Sequence, residues 1–312
     1  MRRFTFPFQA MGGPGELVFY APDQSLADKT AHLVRQEIAR LEARYSRYRP
    51  ESIVSRINRS AGKNDIRVDA ETAALLDYAA TCHTQSQGRF DITSGILRKC
   101  WDFKSQHIPS QNEIDQFRPL IGWGQVIWEN PRLRLPHPGM EIDLGGVVKE
   151  YGVDRCVVIL QEEGIRHGFV NLAGDLKAIG PHPDGRPWGV GVHHPRKPGS
   201  LLARIPLLKG ALATSGDYER VIMQDGQRLS HLLNPLTGRP VTGGLGSVSV
   251  LAPHCLIAGS IATVAMLQER PGGIAWLQEM GLPNVQVDDQ GEVTSHGIQL
   301  LPPPPPSHHL PP

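Results

Sequence analysis

Apolar and polar positions alternate at the start of the chain and then change to a helical period. Phe4, Phe6 and Phe8 fall on every second residue, as on one face of a strand, and a second strand is expected over 15–23. From Gln24 onward, Ala27, Ala31, Val34, Ile38, Leu41 and Tyr45 recur at spacings of three and four, which predicts an amphipathic helix over 24–48. Further helices are expected over 70–86 and over 147–164, the latter ending at Gly164. The stretch 167–180 reads as strand, turn, strand, and 181–200 as a loop around a short strand centred on 188–192. Strands follow at 200–208, 211–215, 219–224 and 245–252, then helices at 254–270 and 273–280 and a last strand pair near 284–295. The pattern is α+β, with residues 1–300 read as a single domain. One helix stands out: HCLIAGSIATVAMLQ carries Gly259 in its interior, where glycine costs about 1 kcal/mol relative to alanine.

Composition narrows the function classes. Lys and Arg number 32 against 31 Asp and Glu, so no basic surplus draws the chain to nucleic acid or an anionic membrane. No run of 18 apolar residues occurs, and the N-terminus lacks the apolar core of a signal peptide, so no membrane span and a cytoplasmic location are expected. The cysteines Cys82, Cys100, Cys156 and Cys255 lie far apart without metal-binding spacing and read as reduced core thiols. Residues 301–312, LPPPPPSHHLPP, read as a proline-rich, disordered tail.

Glycine and polar residues bunch in four segments: GRFDITSGIL, EIDLGGVVKEYGVD, NLAGDL and the stretch from ATSGDYER to SHLLNPLTGRPV. In the second, a strand-like Ile142-Asp143-Leu144 passes through two glycines into a helix whose N-terminus could face a phosphate, with Lys149 in its first turns. The same residues also fit a plain strand-to-helix turn in which Asp143 caps its own helix. His231 precedes a turn marked by Asn234, Pro235, Thr237 and Gly238, a position open to a general base or to a structural histidine.

In this order the segments resemble the ApbE family, the FAD:protein FMN transferases. The resemblance runs from FQAMGG through YSRYRPESIVSRINRSAG, GRFDITSGILRKCWDF, IDLGGVVKEYGVD, FVNLAGDLKAIG, RPWGVGVHHPRKPG, LATSGDYER and SHLLNPLTGRPV to AGSIATVAML, roughly residues 8–270. It implies a single α+β domain of mixed sheets flanked by helices, with a flavin-binding cleft. The implied reaction cleaves FAD with Mg2+, joins FMN through a phosphoester to a threonine or serine of a target flavoprotein, and releases AMP. FAD contacts are implied at Met11, Tyr48, Arg89, Phe90, Asp91, Asp143 and Lys149, and a proton-transfer or phosphate-contact role at His231. The metal is implied at the Gly146 carbonyl and at Thr263.

Four positions depart from the pattern. Gly259 stands where the family carries a metal-binding aspartate, Glu150 where it carries a small residue, Ala173 where it carries glycine, and Asn234 where it carries aspartate. Glycine offers no side-chain oxygen to a hard cation, so another carboxylate is required for tight Mg2+ binding, and Asp175 and Asp217 are the candidates by position. An FAD- or nucleotide-binding protein impaired in turnover is the alternative.

Overall fold

Two strands, β1 (Arg2–Ala10) and β2 (Gly13–Ala21), open the chain as an antiparallel hairpin. The structure, a computed structural model, describes residues 1–224 and 226–303. Helix α1 (Gln24–Tyr45) follows, started by the Asp23 carboxylate accepting from the Leu26 amide at 2.9 Å. It buries the predicted stripe, and it ends before residue 48 because Ser46 turns extended. Next come α2 (Ile53–Arg59), β3 (Ile66–Arg67) and α3 (Ala70–Gln85), the two helices capped by Ser52 and Asp69. Helix α4 (Gln111–Phe117) is opened by a Ser110–Glu113 capping box, and β4 (Ile127–Glu129) and β5 (Arg132–Arg134) complete a small sheet with β3. These short pieces lacked a legible period in the sequence.

The second half holds α5 (Gly145–Glu162), β6 (Gly168–Leu172), β7 (Asp175–Gly180), β8 (Trp188–His193), β9 (Leu201–Leu207) and β10 (Gly210–Gly216). Two small hairpins follow, β11 (Val221–Gln224) with β12 (Gln227–Ser230) and β13 (Leu233–Asn234) with β14 (Arg239–Pro240). Then come β15 (Ser247–Ala252), α6 (Cys255–Met266), α7 (Arg270–Met280), β16 (Asn284–Val287) and β17 (Val293–His296). The sequence pattern carried the sixth helix to residue 270, but Arg270 belongs to α7, whose first turn Pro271 starts.

Eight strands form one antiparallel sheet in the order β1-β2-β6-β7-β10-β15-β16-β17. Its two faces read directly from strand alternation: Leu17 and Phe19 of β2 enter the core under α1, α5 and α6, whereas Val18 between them packs toward Trp188, Ile205 and Leu207 of the β8–β9 hairpin. Ala211 and Ala213 against Leu212 repeat the pattern on β10. The sheet is therefore helix-covered on one side and hairpin-covered on the other. All four cysteines are buried and free, and no helix among the described residues is long and apolar enough to cross a membrane. Leu301, the first residue of the predicted tail, exchanges backbone hydrogen bonds with Arg204 at 2.9 and 2.8 Å. Residues 304–312, the rest of that tail, lie outside the described residues.

Candidate active site

The register between α5 and α6 builds the site. Asp154 of α5 accepts from the Cys255 and Leu256 amides, at 3.0 and 3.1 Å, and from Lys177 at 2.6 Å, so it caps the start of α6 from a neighbouring helix. One turn earlier on α5, Glu150 lies against Gly259, one turn later on α6: a Cβ at position 259 would stand 2.6 Å from Glu150 Cγ and 3.1 Å from Cδ and Oε1. The helices therefore run antiparallel, and one further turn along each of them lie Gly146 of α5 and Thr263 of α6.

Charge is concentrated there. Lys149 Nζ lies 2.5 Å from Asp175 Oδ2 and 3.8 Å from Glu150 Oε1. Asp175 Oδ1 accepts from the Thr214 amide at 3.1 Å. Glu150 is only 6% exposed, and its Oε2 is buried with no hydrogen-bond partner. Burial pushes Glu150 up to about 7 against the opposing pull of Lys149. Burial works to lower Lys149, but the Glu150 and Asp175 carboxylates outweigh it and hold the ammonium above the usual lysine range.

Asp143 lies just before α5, whose N-cap residue Leu144 makes no side-chain cap; the Asp143 carboxylate accepts from the Gly145 amide at 3.0 Å and is paired with Arg47. Arg47 was not found from the sequence; its guanidinium donates to the Tyr48 hydroxyl at 2.8 Å and lies 5.0 Å from that ring's centre. Tyr48 itself is exposed. The Phe90 ring sits 3.8 Å from the Cβ position of Gly146, and Met11, in a left-handed turn with φ 51°, reaches Gly152 of α5. Arg89 and Asp91 stand differently. Arg89 bonds its own turn through Ser86 and Gln87, and the buried Asp91 accepts from Thr93 N, Thr93 Oγ1 and Trp123 N at 2.8, 2.6 and 2.8 Å. His83 Nε2 adds a 3.4 Å contact to Asp91. Burial alone would raise Asp91, but these donors hold it below the usual carboxylate range.

His231 enters through its amide, bonded to the Arg220 carbonyl at 3.0 Å, while its ring Nδ1 is buried with no hydrogen-bond partner. Burial lowers its pKa, so the ring is neutral near pH 7, and the Glu219 carboxylate acts on both His231 and Lys149. The turn that follows is the one expected: Asn234 Oδ1 accepts from Leu236 N at 2.9 Å and Gly238 closes it with φ 71°. Asn234 needs only an oxygen there, which amide and carboxylate supply alike. Asp217 is held by Arg196 through two bonds of 2.6 and 2.7 Å. Of the two candidate replacement carboxylates, Asp175 therefore lies at the seam and Asp217 is bound up elsewhere. A cavity of 460 Å³ is lined by Gly88, Asp91, Arg118 and Leu236, and one of 420 Å³ by Asn171, Trp188, Thr214 and Tyr218.

The sequence pattern of the ApbE family matches residues 11–286. The chain belongs to the ApbE family. Curated relatives include an FAD:protein FMN transferase of Vibrio cholerae, 30% identical over 78% of this chain and 74% of that protein. Another of the same name, from Chlamydia pneumoniae, is 32% identical over 78% of each. Among solved structures, the ApbE protein of Thermotoga maritima superposes with a TM-score of 0.86 at 28% identity, covering 95% of this chain and 97% of that one. The flavin transferase ApbE of Vibrio cholerae gives 0.85 at 26%, with the same coverage.

Whether the ApbE seam suits a divalent cation is a question of donors. Among the described residues no group of three or more His, Cys, Asp and Glu side chains is arranged around a metal site. An ion here would need mixed oxygen donors, and α5 and α6 carry candidates for them. Glu150 Oε2 lacks a partner, Thr263 lies a turn from Gly259, and the carbonyl of Gly146, in the first turn of α5, points along the helix toward Glu150. A buried carboxylate oxygen without a donor is the observation that makes the fit.

Proposed function

We propose that this chain is an FAD:protein FMN transferase, which cleaves FAD and joins its FMN half through a phosphoester to a threonine or serine of a target flavoprotein, with AMP as the other product. The observation that carries this reading is the family match over residues 11–286, in relatives of that name at about 30% identity. The chemistry of the seam agrees with it. The acceptor hydroxyl oxygen attacks the phosphorus of the FMN half, the bond from that phosphorus to the bridging oxygen breaks, and the bridging oxygen leaves with AMP. His231, neutral because burial disfavours its charged form, takes the hydroxyl proton on a ring nitrogen. The amides and dipole of the α5 N-terminus face the pyrophosphate, and Lys149 adds a fixed positive charge beside it. Met11, Tyr48, Arg89 and Phe90 contribute to the flavin cleft, with Asp143 and Arg47 at its mouth. Asp91 acts by bracing the loop under that cleft. Gly146, Thr263 and a seam carboxylate would hold a Mg2+ ion, which when bound would supply charge neutralisation at the transferred phosphoryl group.

The test is incubation with FAD, Mg2+ and a threonine-bearing acceptor flavoprotein. AMP release matched by an FMN-sized mass gain on the acceptor is expected. Tight FAD binding without AMP under Mg2+, Mn2+ or Ca2+ would overturn the transferase reading and leave a binding protein.

A further inference from the structure

Glu150 and Gly259 are complementary in shape. The Glu150 side chain crosses the α6 backbone where any side chain at 259 would stand, with its Cγ 2.6 Å from that Cβ position. Its carboxylate is thereby delivered to the face of α6 that carries Thr263 one turn on. Lys149 does not complete it: the ammonium is 2.5 Å from Asp175 but 3.8 Å from Glu150 Oε1, and Oε2 has no partner at all. Two carboxylates, 6% and 2% exposed, thus share one lysine, and Glu150 keeps a buried acceptor oxygen without a donor. Leaving such an oxygen unmet in a closed interior is costly, and oxygen donors around spare negative charge suit a hard divalent cation.

We infer that Glu150 is the carboxylate ligand of a divalent-cation site at the α5–α6 seam, so that the acid absent from position 259 of α6 is supplied across the seam by α5. In this arrangement Gly259 is required because Glu150 is present, and each residue makes sense of the other. Asp175 stays with Lys149 and does not fill the role. The inference rests on the transferase reading only for the cation's purpose, not for its existence.

The experiment is titration of the FAD-free full-length protein with Mn2+, followed by the ion's EPR signal and by displacement with Mg2+. Glu150→Gln keeps shape and burial and removes the charge. It is expected to weaken Mn2+ binding at least as much as the roughly 10–100-fold seen when groups that only support a ligand are lost. The double variant Glu150→Gly with Gly259→Asp returns the acid to α6, and it is expected to regain most of that affinity with an unchanged circular-dichroism spectrum. Wild-type protein that takes up no Mn2+, or Glu150→Gln that binds it as the wild type does, overturns the inference. Mn2+ binding that depends on Glu150 in a protein that releases no AMP would sustain the inference and sink the transferase reading. AMP release with Mn2+ binding indifferent to Glu150 would do the reverse.

Discussion

Asp91 and Glu150 are buried to nearly the same degree, 8% and 6% exposed, yet they sit in opposite electrostatic situations. Asp91 receives three hydrogen bonds and a histidine contact and is held below the usual carboxylate range. Glu150 has one oxygen with no donor and is pushed up by the same burial. Burial by itself therefore does not mark a functional acid. What distinguishes the two is whether the protein supplies the partners, and of the pair it is Glu150 that keeps an acceptor without a donor.

The largest expected effect breaks the satisfied side of that comparison. Asp91→Ala leaves the Thr93 and Trp123 amides buried without an acceptor and should cost about 2–6 kcal/mol in urea unfolding. His231→Ala belongs to the unsatisfied side, and should slow AMP release by roughly 10²–10⁴-fold with FAD affinity little changed in a fluorescence titration. Gly259→Ala drives a methyl into Glu150 Cγ and should destabilise by about 1–3 kcal/mol, although alanine is the better helix former. With Glu150→Gly in the background the sign should reverse, to a gain of up to about 1 kcal/mol.

The two acids should also respond to pH with opposite sign. Asp91, lowered from 3.8, contributes stability that is present above that value and lost as pH falls through its folded pKa. Glu150, raised from 4.5 to about 7, contributes stability that is present below 4.5 and lost as pH rises through 7. In EDTA, the wild type should therefore lose stability relative to Glu150→Gln between those values, as read from urea midpoints along a pH series. The smallest effect is expected from Asn234→Asp, within about 0.5 kcal/mol, because either side chain offers the oxygen that Leu236 N requires.

Much of this was legible in the sequence. The α1 stripe, the strand alternation that sorts Leu17 from Val18, the turn after His231 and the helix around Gly259 all follow from local periodicity and turn chemistry. The family match bears out the resemblance, and the α+β fold with it. Local pattern could not show that the departures at Glu150 and Gly259 are one exchange. That depends on the register of α5 against α6, which Asp154 sets by capping α6 across a long stretch of chain. Arg47 was missed because nothing in YSRYRPES says which of its arginines turns toward Asp143. The hydrogen bonds that hold Asp91 were hidden because one of its donors, the Trp123 amide, lies in a 3-10 helix of 3 residues, too short to show a period.

In the seam proposed above, α5 supplies the carboxylate that α6 lacks and the reaction is kept. AMP release from FAD, compared across wild type, Glu150→Gly, Gly259→Asp and the double variant, tests it most directly. Both single variants are expected to fail, one for want of a carboxylate and the other for want of space, and the double variant is expected to recover turnover. A Glu150→Gly protein that releases AMP at the wild-type rate would contradict it.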